Sequence, residues 1–190
     1  MKQRRADSIG FVRVAMVALI ASATACMGMM GGGGGADLLT ASAALRDTAG
    51  RSLGNINFSQ LAGGGAVTLS GRLEGLSPGV HGIHLHTTGV CTGTGGFASA
   101  GGHYNPATMK HGLQASAGPH AGDLENITVA ADGHADVSLT TARVTLSAGP
   151  LSLFDADGSA LVVHQGPDDQ MTDPSGGSGA RIACGVVTKS

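Results

Sequence analysis

The stretch Ala66-Val67-Thr68-Leu69-Ser70-Gly71-Arg72-Leu73-Glu74 decides the fold class, because apolar and polar residues alternate along it. In an extended chain, successive side chains point to opposite faces, so the apolar positions from Val67 to Leu73 would share one face. A period of two is typical of a β-strand that buries one face against a core. The stretch therefore predicts a half-buried strand.

Short segments of the same kind recur along the chain, and turn signals separate them. Asp47-Thr48-Ala49-Gly50 joins the first two segments, and Asp132-Gly133, which is typical of a hairpin, joins two later ones. The predicted strands are Ala41–Arg46, Leu53–Leu61, Ala66–Glu74, Gly79–His86, Asn126–Ala130, Ala135–Thr140, Ala160–His164 and Arg181–Val187. About eight short strands predict an all-β sandwich or barrel. The segment Thr87–Gly122 shows no clear period and predicts a long loop, which in a compact domain is usually functional.

Composition agrees with a single domain, and the net charge disfavours nucleic acid as a partner. The chain has 190 residues, enough for one domain and a processing segment, and 33 of them are glycine, which favours turns and short strands. The formal net charge is −2 at pH 7, so we expect no basic face for nucleic acid.

The first 25 residues predict a signal peptide. A basic start with Lys2, Arg4 and Arg5 precedes the apolar run Val14–Ala25, which is too short to span a bilayer comfortably. Ala23-Thr24-Ala25 directly before Cys26 is similar to a bacterial lipobox, so we expect Cys26 to carry lipid and to anchor the protein to a membrane of the periplasm or cell envelope. The alternative is ordinary cleavage that leaves a free Cys26.

Residues 26–37 predict a flexible tether between that anchor and a folded domain over residues 38–190. The tether contains five consecutive glycines after Met27, Met29 and Met30. Thioether sulfurs bind Cu(I), but no Met-x-x-Met repeat follows, and the interpretation as a linker is preferred.

Six of the eight histidines fall at spacings typical of metal ligands. His84 and His86 lie two apart on a predicted strand and would share one face; alone, such a pair would more often face solvent. A second set, which follows in or just after the long loop, suits a tetrahedral Zn²⁺ ion: His103, His111, His120 and Asp123. His164 ends an apolar strand, where a lone histidine is usually structural.

Six motifs in order resemble the copper–zinc superoxide dismutase family, in its bacterial, exported, lipoprotein-like branch. They are Gly82-Ile83-His84-Leu85-His86, Gly102-His103-Tyr104-Asn105-Pro106, Lys110-His111-Gly112, His120-Ala121-Gly122-Asp123-Leu124, Leu161-Val162-Val163-His164 and Arg181-Ile182-Ala183-Cys184-Gly185. The resemblance covers residues 41–187. It implies an antiparallel, eight-stranded Greek-key β-sandwich or barrel with long metal-binding loops.

The resemblance also implies a role for each site residue. The matched copper ligands are His84, His86, His103 and His164, and the matched zinc ligands are His103, His111, His120 and Asp123. His103 would belong to both sets, since an imidazole has two nitrogens. Asp168 matches a carboxylate that joins a copper ligand to a zinc ligand, Cys91 and Cys184 match a disulfide, and His81 matches a structural position.

The implied activity is the dismutation of superoxide to oxygen and hydrogen peroxide, an antioxidant reaction with copper and zinc as cofactors. Arg181 would dock the superoxide anion, and His103 would supply a proton to the departing peroxide. The segment Gln165–Ala180 contains aspartates but no lysine, so local positive charge would come mainly from the metals, Arg181 and Lys110.

Two other functions compete with the enzyme. The first is a copper-buffering protein that uses the methionines of the tether, and the second is an inactive dismutase-like domain. Every matched ligand is present, which disfavours the inactive domain, and Arg181 favours an enzyme over a buffer. The sequence leaves open whether the protein is a monomer or a homodimer.

Overall fold

A computed structural model describes residues 37–190. The predicted signal peptide, Cys26 and the methionines of the tether lie outside the described residues. Within this range the chain forms nine β-strands and one short 3-10 helix, Ala98–Ala100. The strands are β1 Leu38–Asp47, β2 Ser52–Leu61, β3 Val67–Leu73, β4 Gly79–His81, β5 Ile83–His86, β6 Ile127–Val129, β7 Ala135–Thr141, β8 Ala160–His164 and β9 Arg181–Lys189.

Seven of these strands form one curled antiparallel sheet in the order β5-β8-β9-β1-β2-β3-β7, and β4 and β6 form a separate pair. The predicted all-β antiparallel fold is confirmed. The predicted turn over residues 47–50 joins β1 to β2, which pair along almost their whole length. The sheet has two ends, with β5 at one and β7 at the other.

The predicted strand Gly79–His86 is divided at Gly82, so the described part of the chain has nine strands where eight were expected. β4 pairs with β6, whereas β5 pairs with β8. Gly82 bonds through its N–H to the Gly166 carbonyl and through its carbonyl to the His164 N–H, each at 2.8 Å. An alternation of apolar and polar residues cannot predict this change of partner strand, because the chain is extended on both sides of Gly82.

The hairpin predicted around Asp132-Gly133 is only partly present. The turn forms, with the N–H of Ala130 donating to the carbonyl of His134 at 2.8 Å. The strands on either side then diverge, since β6 pairs with β4 and β7 pairs with β3. The turn residues are thus correctly predicted and the strand pairing is wrong.

The apolar core lies on one face of the sheet, as the alternation predicts. On β3, Val67, Leu69 and Leu73 are buried, and on β7 every second residue from Ala135 is buried. Complete burial of a leucine or valine side chain stabilises the fold by about 1.5–3 kcal/mol. This core supports β5 and β8, which carry three of the predicted metal ligands.

Candidate metal centre

Four buried histidines converge at the β5 end of the sheet. His84 and His86 lie on β5, His164 ends the neighbouring strand β8, and His103 comes from the long loop. Each offers a ring nitrogen, and these four nitrogens all lie within 4.8 Å of one another. The structure therefore brings together the whole predicted copper set.

The long loop reaches these histidines because it covers the free edge of β5. The backbone of His103 pairs with that of His86, and the backbone of Asp123 pairs with that of His84. Gly122 lies between these contacts, and a Cβ atom there would be 2.3 Å from the carbonyl oxygen of Leu85. Only glycine allows so close an approach of the two backbones.

One ring nitrogen of each strand histidine is already bonded, which orients the ring. Nδ1 of His86 lies 3.0 Å from the carbonyl oxygen of Gly101, and Nδ1 of His164 lies 3.1 Å from that of Gly179. The four nitrogens that converge are buried and have no hydrogen-bond partner among the described residues: Nδ1 of His84 and Nε2 of His86, His103 and His164. Buried polar atoms are rarely unpaired, so a cluster of four such nitrogens fits a bound metal ion.

Burial also keeps His86 and His164 neutral, as ligation requires. Desolvation and the neighbouring His103 lower the pKa of His86 to about 2. Desolvation and the neighbouring His84 lower the pKa of His164 to about 3. Neutral imidazole nitrogens are good ligands for copper and zinc.

The second cluster surrounds one oxygen of Asp123. Oδ1 lies 2.9 Å from Nδ1 of His103, 3.1 Å from Nδ1 of His111 and 3.3 Å from Nδ1 of His120. The other oxygen, Oδ2, accepts the backbone N–H groups of Gly112 at 2.8 Å and His120 at 2.9 Å. The carboxylate is thus fixed with one oxygen facing three imidazole nitrogens, which is a donor set suited to tetrahedral zinc.

The lowered pKa of Asp123 suits a bound cation, whereas the raised pKa of His111 means that its ring must lose a proton when a metal binds. Burial raises the pKa of Asp123, but hydrogen bonds from His103, His111 and Gly112 outweigh it and hold the pKa well below its usual range. Burial lowers the pKa of His111, and hydrogen bonds to Asp123 and Asp168 more than offset it, raising the pKa to about 9. The carboxylate is therefore ionised and ready to bind a cation.

His103 belongs to both clusters. Its Nδ1 faces Asp123, and its Nε2 belongs to the unpaired set with His84, His86 and His164. Burial lowers the pKa of His103 to about 4, although the Asp123 hydrogen bond raises it in part. One imidazole can therefore contact an ion on each side.

Asp168 makes a second link between the clusters. Its Oδ2 lies 2.7 Å from Nε2 of His84, and its Oδ1 lies 3.0 Å from Nε2 of His111. Asn126 clamps the backbone of Asp168, donating to its carbonyl at 2.8 Å and accepting its N–H at 2.9 Å. Sequence reasoning missed Asn126, because nothing in its local pattern links residue 126 to residue 168.

Arg181 stands beside a cavity of about 420 Å³ that opens onto His103, His120 and His164. Its guanidinium donates to the carbonyl oxygens of Phe97 at 2.7 Å and Gly101 at 2.6 Å. It forms no ion pair within the described part of the chain, so its positive charge faces the cavity without a neutralising carboxylate.

Lys110, the other expected source of positive charge, is paired. Its Nζ lies 2.8 Å from Oδ2 of Asp173, and Oδ1 of Asp173 accepts the backbone N–H of His111 at 2.9 Å. This contact holds the loop that carries His111 against the segment that follows β8. It also pairs the charge of the lysine with a carboxylate, and Lys110 is not among the residues that line the cavity beside Arg181.

Cys91 and Cys184 form a disulfide, the pairing that the resemblance implies. Cys184 lies on β9, three residues after Arg181, and Cys91 begins the loop whose Phe97 and Gly101 carbonyls hold that arginine. The bridge therefore ties the loop to the strand that carries Arg181.

The two remaining histidines lie outside both clusters. The ring nitrogens of His81 pair with the carbonyl oxygens of His164 at 2.8 Å and Ser77 at 2.9 Å, which is a structural role. His134 is partly exposed beside Asp132 and Glu74. Over residues 37–190, no helix has the length and apolar character needed to cross a membrane.

Comparisons with known proteins agree with this geometry. The family model described as copper/zinc superoxide dismutase (SODC) matches residues 52–187. The chain is 43% identical over 151 residues to a protein of Caulobacter vibrioides named superoxide dismutase [Cu-Zn], covering 78% of this chain and 85% of the relative. A crystal structure of a SOD-like protein from Bacillus subtilis matches with a TM-score of 0.72 and 37% identity, over 76% of this chain and 96% of that one. The clock protein EA4 matches with a TM-score of 0.66 and 33% identity, over 78% of this chain and 93% of that one.

Proposed function

The chain belongs to the copper/zinc superoxide dismutase family, and on that premise we propose which of its residues carry out the reaction. The enzyme converts superoxide to oxygen and hydrogen peroxide and uses copper and zinc as cofactors. One observation carries the assignment of residues. Four buried histidine nitrogens with no hydrogen-bond partner in the described part of the chain converge on one point, and His103 connects them to a second cluster.

We assign copper to the four unpaired nitrogens, which are Nδ1 of His84 and Nε2 of His86, His103 and His164. We assign zinc to Nδ1 of His103, His111 and His120 and to Oδ1 of Asp123. A set of four nitrogens suits Cu(II), whereas three nitrogens and one carboxylate oxygen suit Zn²⁺. When bound, copper supplies the one-electron redox chemistry, and zinc is redox-inactive.

Arg181 binds and orients the substrate. Superoxide is a small anion, and the guanidinium is the cationic group that lines the cavity with His103, His120 and His164. Its hydrogen bonds to the carbonyls of Phe97 and Gly101 fix its position without cancelling its charge. A fixed positive charge near low-dielectric walls raises the local concentration of an anion.

His103 is the residue best placed to move a proton. Its Nδ1 is held against Asp123, and its Nε2, on the side of the copper ligands, has no hydrogen-bond partner among residues 37–190. The imidazole can therefore take a proton on Nε2 and donate it to the product peroxide without moving away. Asp168 limits rotation of two further rings by accepting from His84 and His111.

Metal loading of the purified protein tests this assignment. We expect one copper and one zinc per chain by elemental analysis, and rapid removal of superoxide that depends on copper. Protein loaded with zinc alone is the control and should be inactive. Activity of the zinc-only protein, or copper bound without activity, would contradict the assignment. The second outcome would instead favour a copper buffer.

We further propose that the protein is exported and held at the cell envelope by lipid on Cys26. The apolar segment before Cys26 and the disulfide Cys91–Cys184 support this proposal, because disulfides persist in oxidising compartments. Mass spectrometry of the mature protein from membranes tests it, with Cys26→Ser as the control. A mature N-terminus at an unmodified Cys26 would contradict the lipid and leave export standing.

Homodimer formation is a separate proposal that follows from the family alone. Analytical ultracentrifugation of the purified domain measures it. A single species of monomer mass across a wide concentration range would exclude a stable dimer.

A further inference from the structure

Arg143 lies at the opposite end of the sheet from the histidine strand, yet it contacts a proposed zinc ligand. The sheet begins at β5 and ends at β7. Asp123 pairs through its backbone with His84 on β5, whereas Arg143 follows two residues after β7. The hydroxyl of Thr141, the last residue of β7, accepts the N–H of Arg143 at 3.2 Å. The backbone of Arg143 is therefore held at the β7 edge of the sheet.

The guanidinium of Arg143 reaches from that edge to the loop. Its Nη2 donates a hydrogen bond to the main-chain carbonyl oxygen of Asp123. Its Nε is buried and has no hydrogen-bond partner in the described range. Burial lowers the pKa of Arg143, and the nearby charge of Asp123 opposes that effect. A cation held in a partly buried, incompletely bonded position costs free energy, so its retention there calls for a compensating role.

The hydrogen bond from Arg143 adds to the contacts that hold Asp123 in place. Two backbone N–H groups hold Oδ2 of its carboxylate, and three imidazole nitrogens face Oδ1. These contacts all come from the loop over residues 87–126, and the backbone of Asp123 pairs with β5. The bond from Arg143 instead ties the residue to the β7 edge, so Asp123 joins both ends of the curled sheet.

We propose that Arg143 is a positioning residue for the zinc site, acting through the backbone of Asp123. This inference rests on the proposed role of Asp123 as a zinc ligand. Metal–ligand distances in well-formed sites lie within about 0.2 Å of their usual values, so the position of each ligand matters. Loss of a group that orients a ligand typically weakens metal binding by about 10–100-fold. Arg143 would thus set zinc affinity without contacting the ion.

Zinc competition with a chromophoric chelator, on the full chain, tests the proposal. Arg143→Met removes the donor and keeps much of the apolar stem. We expect zinc affinity to fall by about 10–100-fold. Arg143→Lys retains a charged donor and should recover part of the loss. The matched control is Arg72→Met, because Arg72 is an exposed arginine of β3 that pairs with Asp136 at 3.5 Å, away from both clusters.

Cobalt absorption gives a readout that a purely structural role would not change. Co²⁺ bound in place of zinc should show altered d–d bands in Arg143→Met and wild-type bands in Arg72→Met. Wild-type zinc affinity and cobalt bands in Arg143→Met would overturn the proposal, even if thermal unfolding of the demetallated variant shifts. If that variant does not fold, Arg143→Gln is measured with the same expectation and the same overturning result.

Asp123→Asn separates this inference from the proposed function. If Asp123→Asn binds zinc as tightly as the wild type, the ligand assignment itself fails. If Asp123→Asn loses zinc and the Arg143 variants do not, only the role of Arg143 is overturned.

Discussion

The sheet core and the metal loops of this enzyme are ordered by different kinds of contact. We define the sheet core as β1, β2, β3 and β7, and the metal loops as residues 87–126 and 165–180. In the sheet core, backbone ladders pair neighbouring strands and alternate side chains fill one apolar core. In the metal loops, three carboxylates accept hydrogen bonds from histidine rings, a lysine and backbone N–H groups: Asp123, Asp168 and Asp173.

This difference shows which part of the molecule depends on its cofactors. The sheet core gains its stability from apolar burial, which no ion influences. The loops contain one short helix and few ladders, so binding of zinc would offset much of the entropy lost on ordering them. Substitutions in the loops should therefore change metal content and rate, and substitutions in the sheet core should change stability.

The largest expected effect comes from His164→Ala. The change removes one of the four converging nitrogens and touches none of the atoms around Asp123. We expect copper and activity to be lost and zinc to be largely retained, measured by elemental analysis and superoxide removal. His134→Ala, at a partly exposed histidine outside both clusters, is the control. Equal loss of both metals would refute two separable sites.

Leu69→Ala tests the sheet core. Leu69 is completely buried on β3, and a leucine-to-alanine change in a core typically destabilises a protein by about 2–5 kcal/mol. We expect the midpoint of denaturant unfolding to fall while folded molecules keep wild-type metal content and rate. Loss of metal from folded Leu69→Ala protein would break the comparison, because the sheet core would then control the site directly.

Arg181→Ala should lower the rate by a smaller factor and leave both metals bound. The change removes the unpaired cation from the cavity, and focused fields of this kind raise association rates by roughly 10- to 1000-fold. We expect the second-order rate constant to fall at least several-fold and its dependence on salt to flatten. Pulse radiolysis over a series of ionic strengths measures both. Arg72→Ala on β3 is the control, and an unchanged rate and slope in Arg181→Ala would remove its role in guiding the substrate.

The smallest effect is expected for Asp173→Asn. The single amide oxygen can still accept either from Lys110 or from the backbone N–H of His111, while a negative charge beside the cavity is removed. The rate should rise modestly at low salt and return to the wild-type value at high salt, since exposed charges are screened. Asp136→Asn, which removes the exposed partner of Arg72, is the control on the sheet. A rate that falls in Asp173→Asn, with zinc lost, would show that the pair serves only to hold the loop.

Much of the sheet could be predicted from local pattern. Alternation along residues 67–73 predicts the face that is buried, and the turn over residues 47–50 predicts the pairing of β1 with β2. The division at Gly82 and the separation of β6 from β7 could not be predicted in this way. In both places the chain keeps a strand conformation and changes its partner, and partner choice depends on residues far away in the sequence.

The metal site could likewise be predicted only in part from local sequence pattern. The spacing of His103, His111, His120 and Asp123 along the chain predicts a zinc donor set without any structure, whereas the copper set with His84, His86 and His164 follows from the resemblance to the family. Asn126, Arg143 and the Lys110–Asp173 pair act only through contacts with residues distant in sequence. Their residue types are common on any surface, so no local signal marks them.

The sequence by itself therefore determined the all-β class and the buried face of each long strand, because these depend on a period of two. Its motifs, through their resemblance to the family, also indicated the residues able to bind two metals. Tertiary structure alone decided that Asp123 presents one oxygen to three histidines, that Lys110 is neutralised and that Arg181 is not. These outcomes depend on distances of about 3 Å between residues that are mostly far apart in the sequence, and such distances are set by how the curled sheet and its loops pack.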